Sequence, residues 1–220
     1  MNPIKKIVVV DDHPLVREWL TNLIRHQADM TVCGETGSGP EALSLVRLHQ
    51  PDVAIVDISL ASGSGLDLIK DIKAGCAGVA VLVLSMHDEM LYAERALRAG
   101  ASGYVMKSEA TQKMVEGIRV VLSGEWFVSP RVAAFMARKL IGGQSTRSME
   151  QLSDRELEVF QLLGQGKSTR QIAEHLNIGF KTVQGYTARI KEKLNLSNIN
   201  ELMREAIQWH EKSQNAPPSI

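Results

Sequence analysis

The chain has 220 residues, of which 44% are hydrophobic and 23% are charged, with 25 Lys and Arg against 25 Asp and Glu. This composition is globular and excludes collagen-like and disordered chains, while two cysteines argue against a disulfide framework and cannot alone make a four-ligand zinc site. Residues 1–128 carry 12 basic against 16 acidic side chains, a net −4, and residues 129–220 carry 13 against 9, a net +4. This asymmetry predicts different partners for the two halves, a metal ion for the first and a polyanion for the second.

No apolar run reaches the ~20 residues that are needed to span a bilayer. The first residues lead through a short aliphatic run directly into the acidic pair Asp11-Asp12, so we expect no signal peptide. The low cysteine content suits a reducing compartment. We therefore expect a cytoplasmic protein without a membrane partner.

The first half alternates between strands and helices. Apolar runs of strand length cover residues 4–10, 30–32, 53–56, 79–84 and 103–106, and amphipathic helical stretches cover residues 14–26, 39–49, 65–73, 90–99 and 111–122. Continuous runs of Val, Ile and Leu indicate strands that are buried on both faces. Five alternations predict an α/β fold with a doubly wound parallel sheet, which binds ligands at the carboxyl ends of its strands.

The second half is predicted to be all-α. Ser129-Pro130 opens a helix to about residue 141, and a Gly-rich segment at 142–146 is the best candidate for a linker. Ser153 begins a capping box, and a turn at 177–179 separates the second and third of four further helices. We expect an α/β domain at 1–125, a linker helix and flexible linker at 126–150, a helical domain at 151–212 and a disordered tail at 213–220.

Polar side chains that suit phosphoryl chemistry follow four of the predicted strands. Asp11 and Asp12 follow the first strand and Asp57 follows the third, so three carboxylates can converge. Oxygen ligands with room for water suit Mg²⁺. Ser85 follows the fourth strand and Lys107 the fifth. The set predicts phosphoryl transfer to a carboxylate, with Asp57 as the nucleophile and Mg²⁺ and Lys107 stabilising charge on the phosphoryl oxygens.

Each of these residues also has a simpler interpretation. Asp11 and Asp12 could cap the helix that begins at Pro14, and Ser85 could cap the next helix along the chain. A single residue of this kind is more often a cap or a solvated acid than a ligand. Five of them at the carboxyl ends of four predicted strands favour the phosphoryl-transfer site.

The motifs around these residues resemble the receiver domain of bacterial response regulators. They are Val8–Pro14, Val53–Asp57, Leu84–Met86 and Gly103–Lys107, and the resemblance covers about residues 4–122. It implies a five-stranded flavodoxin-like fold and phosphorylation of Asp57 by a cognate sensor histidine kinase. It also implies a Mg²⁺ site formed by Asp12, Asp57 and the Ser59 carbonyl, with Asp11 bound through water. Ser85 and Tyr104 would form a conformational switch.

The second and third helices of the helical domain have the dimensions of a helix-turn-helix. The third carries four basic side chains and one acid between residues 181 and 193. A charge run on a helix is usually a solvated face. The turn, the polar Thr182 and Gln184, and the basic skew of this half favour binding to double-stranded DNA.

Residues 152–209 resemble the LuxR-type helix-turn-helix, on motifs that include Leu152–Val159, Gln171–Ala173, Lys181–Val183 and Ile190–Leu194. The order of receiver, linker and LuxR-type domain is similar to that of the NarL/FixJ family. The resemblance implies a homodimer on DNA, formed through the last helix at about 198–208. It implies phosphate contacts from Lys181 and Thr182 and base contacts from Gln184, Gly185 and Ala188; the basic Arg189 and Lys193 are further candidates for phosphate contacts.

These features predict a DNA-binding response regulator of a two-component system and not an enzyme. A Mg²⁺-dependent phosphatase would need an acid two residues after Asp57, where this chain has Ser59. A ligand-sensing LuxR-type regulator would need a small-molecule pocket in place of the acidic site. The remaining alternative is a regulator whose helical domain binds protein rather than DNA, because Gln184, Gly185 and Ala188 offer few strong base contacts.

Overall fold

The structure is a computed structural model, and it describes residues 3–60, 63–140, 149 and 151–214. The chain divides into two compact units, Met1–Ile141 and Gly142–Ile220. The predicted flexible linker at 142–146 lies outside the described residues, and so does the part of the predicted tail beyond Gln214. Within the described ranges, no helix is long and apolar enough to cross a membrane.

The first unit confirms the predicted doubly wound parallel sheet. Five strands pair in parallel in the order β2-β1-β3-β6-β7, which changes direction between β1 and β3. Ligands of such sheets bind at this change of direction. The strands in chain order are β1 (Lys5–Val10), β2 (Met30–Thr36), β3 (Val53–Val56), β4 (Ser59–Leu60), β5 (Gly63–Ser64), β6 (Ala80–Ser85) and β7 (Gly103–Met106).

Helices cover both faces of this sheet. Ile7, Ile55 and Leu82 pack with Leu20 and Ile118 of two helices in one buried cluster. Side chains alternate along a strand, and the residues that point to the opposite face, such as Val8 and Val56, are also buried. The helices of this unit are α1 (Pro14–Arg25), α2 (Gly39–His49), α3 (Gly65–Gly75), α4 (Glu89–Ala99), α5 (Ala110–Leu122) and α6 (Pro130–Leu140).

A short antiparallel pair, β4 with β5, follows Asp57 and was not predicted from the sequence. Ser64 then caps α3, because its hydroxyl accepts a hydrogen bond from the Leu66 N–H at 3.2 Å. A Cβ added at Gly65 would overlap the backbone carbonyl of Asp57. Only glycine therefore allows α3 to begin so close to the backbone of Asp57.

The second unit confirms the predicted all-α domain. Its helices are α7 (Asp154–Gly164), α8 (Thr169–His175), α9 (Phe180–Lys193) and α10 (Ile199–Gln214). Capping boxes begin α7 at Ser153, as predicted, and α8 at Ser168. The last helix includes residues 213 and 214, which belong to the segment predicted as a disordered tail.

The core of the helical unit forms where α7 and α10 meet. Phe160 is fully buried, and its ring centroid lies 5.6 Å from that of Trp209 in an edge-to-face contact. A Cβ at Gly164 would lie 2.5 Å from the carbonyl oxygen of Ala206, so the two helices approach as closely as a glycine allows. The buried residues of α9 are Val183 and Ile190, which leaves most of that helix facing solvent.

Candidate functional site

The residues predicted to form an acidic site lie together at one edge of the sheet. Asp11 and Asp12 directly follow β1, and Asp57 directly follows β3. The Asp57 N–H donates to the carbonyl of the last residue of β1 at 2.8 Å, which ties the two strand ends together. Ser85 ends β6 and Lys107 follows β7. Four adjacent strands therefore deliver five functional groups to one edge because they run in parallel.

Lys107 forms the centre of this pocket. Its Nζ lies 2.6 Å from Asp57 Oδ2 and 2.7 Å from Asp11 Oδ2. The three side chains are 8%, 3% and 2% exposed, in the order Lys107, Asp57, Asp11. Burial weakens solvent screening, so both ion pairs act more strongly than surface pairs. One ammonium faces three carboxylates, Asp12 included, which leaves the pocket with an excess of negative charge.

Burial and the neighbouring charges together set the pKa of Asp57. Burial raises the pKa of Asp57 from 3.8 to about 6; the ammonium of Lys107 opposes this rise, and the carboxylate of Asp11 adds to it. Burial alone would lower the pKa of Lys107, but Asp57 and Asp11 outweigh it and raise the pKa above the ordinary value. Lys107 therefore stays charged, whereas the Asp57 carboxylate, which forms as the pH rises through about 6, would be stabilised by a further cation in the pocket.

The donor set of the pocket fits a divalent cation. One ligand atom from each of Asp11, Asp12, His13 and Asp57 lies within 4.8 Å of the others. Asp11 Oδ2 and Asp12 Oδ1 are buried and accept no hydrogen bond from any described residue. Their cationic neighbours are Lys107 Nζ, 2.7 Å from Asp11 Oδ2, and His13 Nδ1, 2.8 Å from Asp12 Oδ1. Buried acceptors without donors are costly, and a hard cation with oxygen ligands would satisfy both.

Ser85 and Tyr104, the predicted switch residues, meet at the loop that follows β6. The Ser85 hydroxyl accepts a hydrogen bond from the His87 N–H at 3.1 Å, and the Tyr104 hydroxyl donates to the His87 carbonyl at 2.9 Å. Both side chains are buried. Burial raises the pKa of Tyr104, so its hydroxyl remains a donor. One loop therefore contacts both residues.

Ser59 links this loop to Asp57. Its backbone N–H donates to Asp57 Oδ1 at 3.2 Å, and its hydroxyl lies 2.7 Å from Nε2 of His87. The His87 ring also packs against Tyr92, with 4.4 Å between the ring centroids. His87 was not predicted from the sequence, and its one local signal is its position two residues after Ser85.

The structure does not support the alternative interpretation of these residues as helix caps. The residue at the N-cap of α1 is His13, which makes no side-chain capping bond, and the Asp11 carboxylate instead accepts from the His13 N–H at 2.9 Å. Helix α4 is capped by Asp88, which accepts from the Met90 N–H at 2.8 Å. Asp11 and Ser85 thus line the pocket without capping a helix. Sequence reasoning also missed Arg17, whose guanidinium donates to the Asp11 carbonyl at 2.6 Å.

Helix α9 displays the residues predicted to contact DNA. Residues 181, 184, 185 and 188 share one face, because positions three or four apart lie above one another on a helix. Along this surface Lys181, Thr182, Gln184, Ala188 and Arg189 are exposed and Gly185 is half-buried. The Arg189 guanidinium lies 5.3 Å from the centroid of the Tyr186 ring, a cation–π contact that orients it.

Lys193, at the end of α9, has a different environment from the other basic residues of the helix. Its Nζ donates to Glu156 Oε2 at 2.6 Å, and the Glu156 side chain is 2% exposed. Burial alone would raise the pKa of Glu156, but its hydrogen bonds from Lys193 and Ser153 outweigh this and hold it below the ordinary value. Lys193 therefore joins α9 to the capping box of α7.

Comparisons with known proteins agree with this architecture. Residues 7–119 match the response regulator receiver domain, and residues 150–206 match the bacterial regulatory proteins of the luxR family. The chain is 34% identical over 209 residues to the oxygen regulatory protein NreC of Staphylococcus carnosus, which covers 92% of this chain and 96% of that protein.

The solved structures that are similar to the chain include two response regulators. A LuxR-family two-component response regulator from Aurantimonas sp. SI85-9A1 is 33% identical, with a TM-score of 0.58, and covers 63% of this chain and 99% of its own. RcsB of Salmonella enterica serovar Typhimurium, bound to promoter rprA in the presence of the phosphomimetic BeF3-, shares the fold at 23% identity and a TM-score of 0.62, with 93% and 98% of the chains covered. The chain therefore belongs to the NarL/FixJ-type response regulators of two-component systems, in which a receiver domain is joined to a DNA-binding domain of the luxR family.

Proposed function

We propose that Asp57 accepts a phosphoryl group from a sensor histidine kinase in the cytoplasm, and that this modification controls DNA binding by α9. The observation that supports it most is the position of Asp57, buried between the Lys107 ammonium and two further carboxylates at the switch point of the sheet. A structural aspartate would gain nothing from such an excess of negative charge. A phosphoacceptor needs cationic help, and this pocket has one cation built in and the ligands for another.

Lys107 and the Ser59 backbone are the groups of this chain that act on the acceptor. In the transfer, a carboxylate oxygen of Asp57 bonds to phosphorus, the N–P bond of the donor phosphohistidine breaks, and the departing imidazole nitrogen takes up a proton. Lys107, already 2.6 Å from Asp57 Oδ2, stabilises the negative charge that gathers on the phosphoryl oxygens. The Ser59 N–H holds the other carboxylate oxygen at 3.2 Å and fixes its orientation.

The cation of this site is proposed to be Mg²⁺, held by Asp12, Asp57 and the Ser59 carbonyl, with Asp11 bound through water. When bound, Mg²⁺ neutralises charge on the phosphoryl oxygens. The chain's own contribution is to hold three carboxylates in one pocket at the expense of their mutual repulsion. Ser85 and Tyr104 are proposed to respond to the phosphoryl group, because both contact His87 in the loop beside it.

The proposed DNA contacts follow the exposed surface of α9. Lys181, Thr182 and Arg189 meet phosphates, while Gln184, Gly185 and Ala188 face the bases of the major groove. Lys193 contributes less than the other basic residues, because Glu156 neutralises its charge. A homodimer formed through α10 would present two copies of α9 to paired half-sites, and the exposed Ile199 and Ile207 of α10 suit such an interface.

One experiment distinguishes DNA binding from the alternative function, in which the helical domain binds protein. Gel-shift titrations against genomic fragments at two stated salt concentrations should give specific complexes for the chain, with affinity that falls as salt rises. Gln184→Ala should change the discrimination between bases at one position per half-site by about 1–3 kcal/mol. It should leave the salt dependence of the affinity unaltered. Failure of the folded protein to bind any DNA fragment, with beryllofluoride and Mg²⁺ present as well as without them, would favour the protein-binding alternative.

A further inference from the structure

A segment at residues 125–130, which we call the latch segment, lies along the free edge of the parallel sheet. The Phe127 N–H donates to the Ser102 carbonyl at 3.0 Å, and the Tyr104 N–H donates to the Phe127 carbonyl at 2.8 Å. Gly103 and Phe127 form a parallel bridge. Strand β7 is the last strand of the sheet, so its outer edge would otherwise present unpaired backbone groups. The latch segment thus covers that edge with a minimal additional strand.

Two glycines form a notch for the side chain of this segment. A Cβ at Gly103 would lie 2.7 Å from the Phe127 carbonyl oxygen and 3.0 Å from its Cβ. A Cβ at Gly117, in α5, would lie 3.0 Å from Cδ1 of the Phe127 ring. The ring packs against the main core cluster of the unit, which includes Leu82. The Phe127 side chain fits there because residues 103 and 117 are both glycines.

Helix α6 continues directly from the latch segment and is fastened to α4. The Ser129 hydroxyl donates to Glu89 Oε1 at 2.8 Å and accepts from the Val132 N–H at 3.2 Å. Val132 is 2% exposed, so the first turn of α6 is packed rather than solvated. Near the other end of α6, Lys139 Nζ lies 2.9 Å from both carboxylate oxygens of Glu94. When the latch segment is seated, the start of the segment that leads out of this unit is fixed.

Tyr104 connects the latch segment to the acidic pocket. Its backbone holds Phe127, and its hydroxyl holds the carbonyl of His87, two residues beyond Ser85. A cavity of about 240 Å³ lies beside Tyr104 and is walled in part by Phe127 and Ser129. Tyr104 and the latch segment therefore line one cavity, so a displacement of the Tyr104 ring would change the surroundings of the latch segment.

We propose that the latch segment transmits phosphorylation of Asp57 to helix α6, and that it is seated most firmly when Asp57 carries the phosphoryl group. This inference rests on the proposed function of Asp57. A phosphoryl group that draws the Ser85 hydroxyl towards it holds the loop at His87, and with it the buried position of Tyr104. The two states differ in how firmly Tyr104 holds Phe127, so phosphorylation and latch seating stabilise each other reciprocally.

Residue-resolved amide hydrogen exchange on the full chain tests this directly. The probe is beryllofluoride with Mg²⁺, and the reporters are the Phe127 and Tyr104 amides, which make the two latch hydrogen bonds. Both should exchange at least about fivefold more slowly with the probe bound. The Lys5 amide, bonded to Asp29 at 2.9 Å, serves as a reference and should not change. Unchanged or faster exchange at both reporters, with the probe bound, would overturn the proposal.

Gly117→Ala tests the notch without removing any side chain. Its added Cβ would meet the Phe127 ring, whereas alanine is a better helix former than glycine and so supports α5. We expect faster exchange at both reporters and loss of their response to beryllofluoride. Gly78→Ala is the matched control, because a Cβ there meets nothing within 4 Å. Phe127→Leu, which keeps an apolar side chain but not the ring, should resemble Gly117→Ala.

Fluorine NMR of the bound probe separates the two proposals. If the bound beryllofluoride signal appears in the wild type and in Gly117→Ala, the acceptor site is intact and only the latch is under test. If the bound signal appears and the two reporter amides of Gly117→Ala respond as in the wild type, the latch proposal is wrong and the proposed acceptor site is retained. If no bound signal appears in the wild type, the proposed acceptor site fails, and the latch proposal fails with it.

Discussion

The acidic pocket and the surface of α9 differ in how many parts of the chain build them. The pocket collects side chains from the ends of four strands, and Asp11, Asp57 and Lys107 within it are at most 8% exposed. The surface of α9 is one face of one helix, with most of its polar side chains in solvent. A pocket assembled from distant elements fixes its chemistry before a ligand arrives, whereas an exposed helix face is completed by its partner. Substitutions should therefore act sharply in the pocket and in small steps on the helix.

Asp57→Asn should show the largest effect. The amide keeps the shape of the side chain but lacks the nucleophile, so phosphoryl uptake from acetyl phosphate with Mg²⁺ should fall by more than about a hundredfold. Intact mass measures the uptake. Asp67→Asn is the matched control, since that carboxylate lies on the surface of α3 in an ion pair with Lys70 at 3.0 Å. Equal labelling of Asp57→Asn and wild type would remove Asp57 as the acceptor.

The same variant should be more stable than the wild type when divalent cations are absent. The pKa of Asp57 is raised from 3.8 to about 6 in the folded protein, chiefly by burial. A raised folded pKa stabilises the fold below the unfolded value, and this stabilisation is lost as the pH rises through about 6. At about pH 7.5, Asp57→Asn should gain up to about 3 kcal/mol in free energy of unfolding, and much less at about pH 4. Urea unfolding with a chelator checks this, and a gain that does not depend on pH would contradict it.

Asp12→Asn should weaken Mg²⁺ binding in the pocket. It removes an anionic ligand and leaves an amide that binds hard cations poorly. The dissociation constant for Mg²⁺ should therefore rise about 10–100-fold. Calorimetric titration of the full chain measures it, with Asp67→Asn again as the control. An unchanged dissociation constant would exclude Asp12 as a ligand.

On α9, substitutions of two lysines should have different effects on the salt dependence of DNA binding. Lys181→Ala should reduce the salt slope of DNA binding by roughly 0.9, the value for one lost phosphate contact. Lys193→Ala should change that slope less, because Glu156 already pairs with Lys193 at 2.6 Å, and should instead lower the stability of the helical unit. Gel-shift titrations over several salt concentrations, with thermal unfolding of each variant, make the comparison. Equal salt slopes for the two variants would show that the Lys193–Glu156 pair opens on DNA.

Much of the pocket could be predicted because it obeys local rules. Buried runs of Val and Ile identify the strands, and a polar residue directly after such a run must lie at the carboxyl end of the sheet. Asp11, Asp57 and Lys107 could be placed together on that basis before any distance was measured. The helices of the second unit were equally accessible, since capping residues such as Ser153 mark where they begin.

The contacts that could not be predicted join residues far apart in sequence without a local pattern. Nothing near His87 indicates that its ring meets Ser59, and nothing near Lys193 indicates its pairing with Glu156. The notch for Phe127 depends on glycines in a strand and in a helix, which read locally as weak points of those elements. Such pairings arise from packing geometry, which the periodicity of a sequence does not encode.

Phosphorylation of Asp57 is proposed to control DNA binding by α9. The most direct test is the affinity of the full chain for one specific DNA fragment, at fixed salt, with and without beryllofluoride and Mg²⁺. Control by phosphorylation should appear as an increase of about 5–150-fold in the wild type and none in Asp57→Asn. An affinity that stays unchanged in the wild type, although beryllofluoride is bound at Asp57, would show that phosphorylation does not control DNA binding.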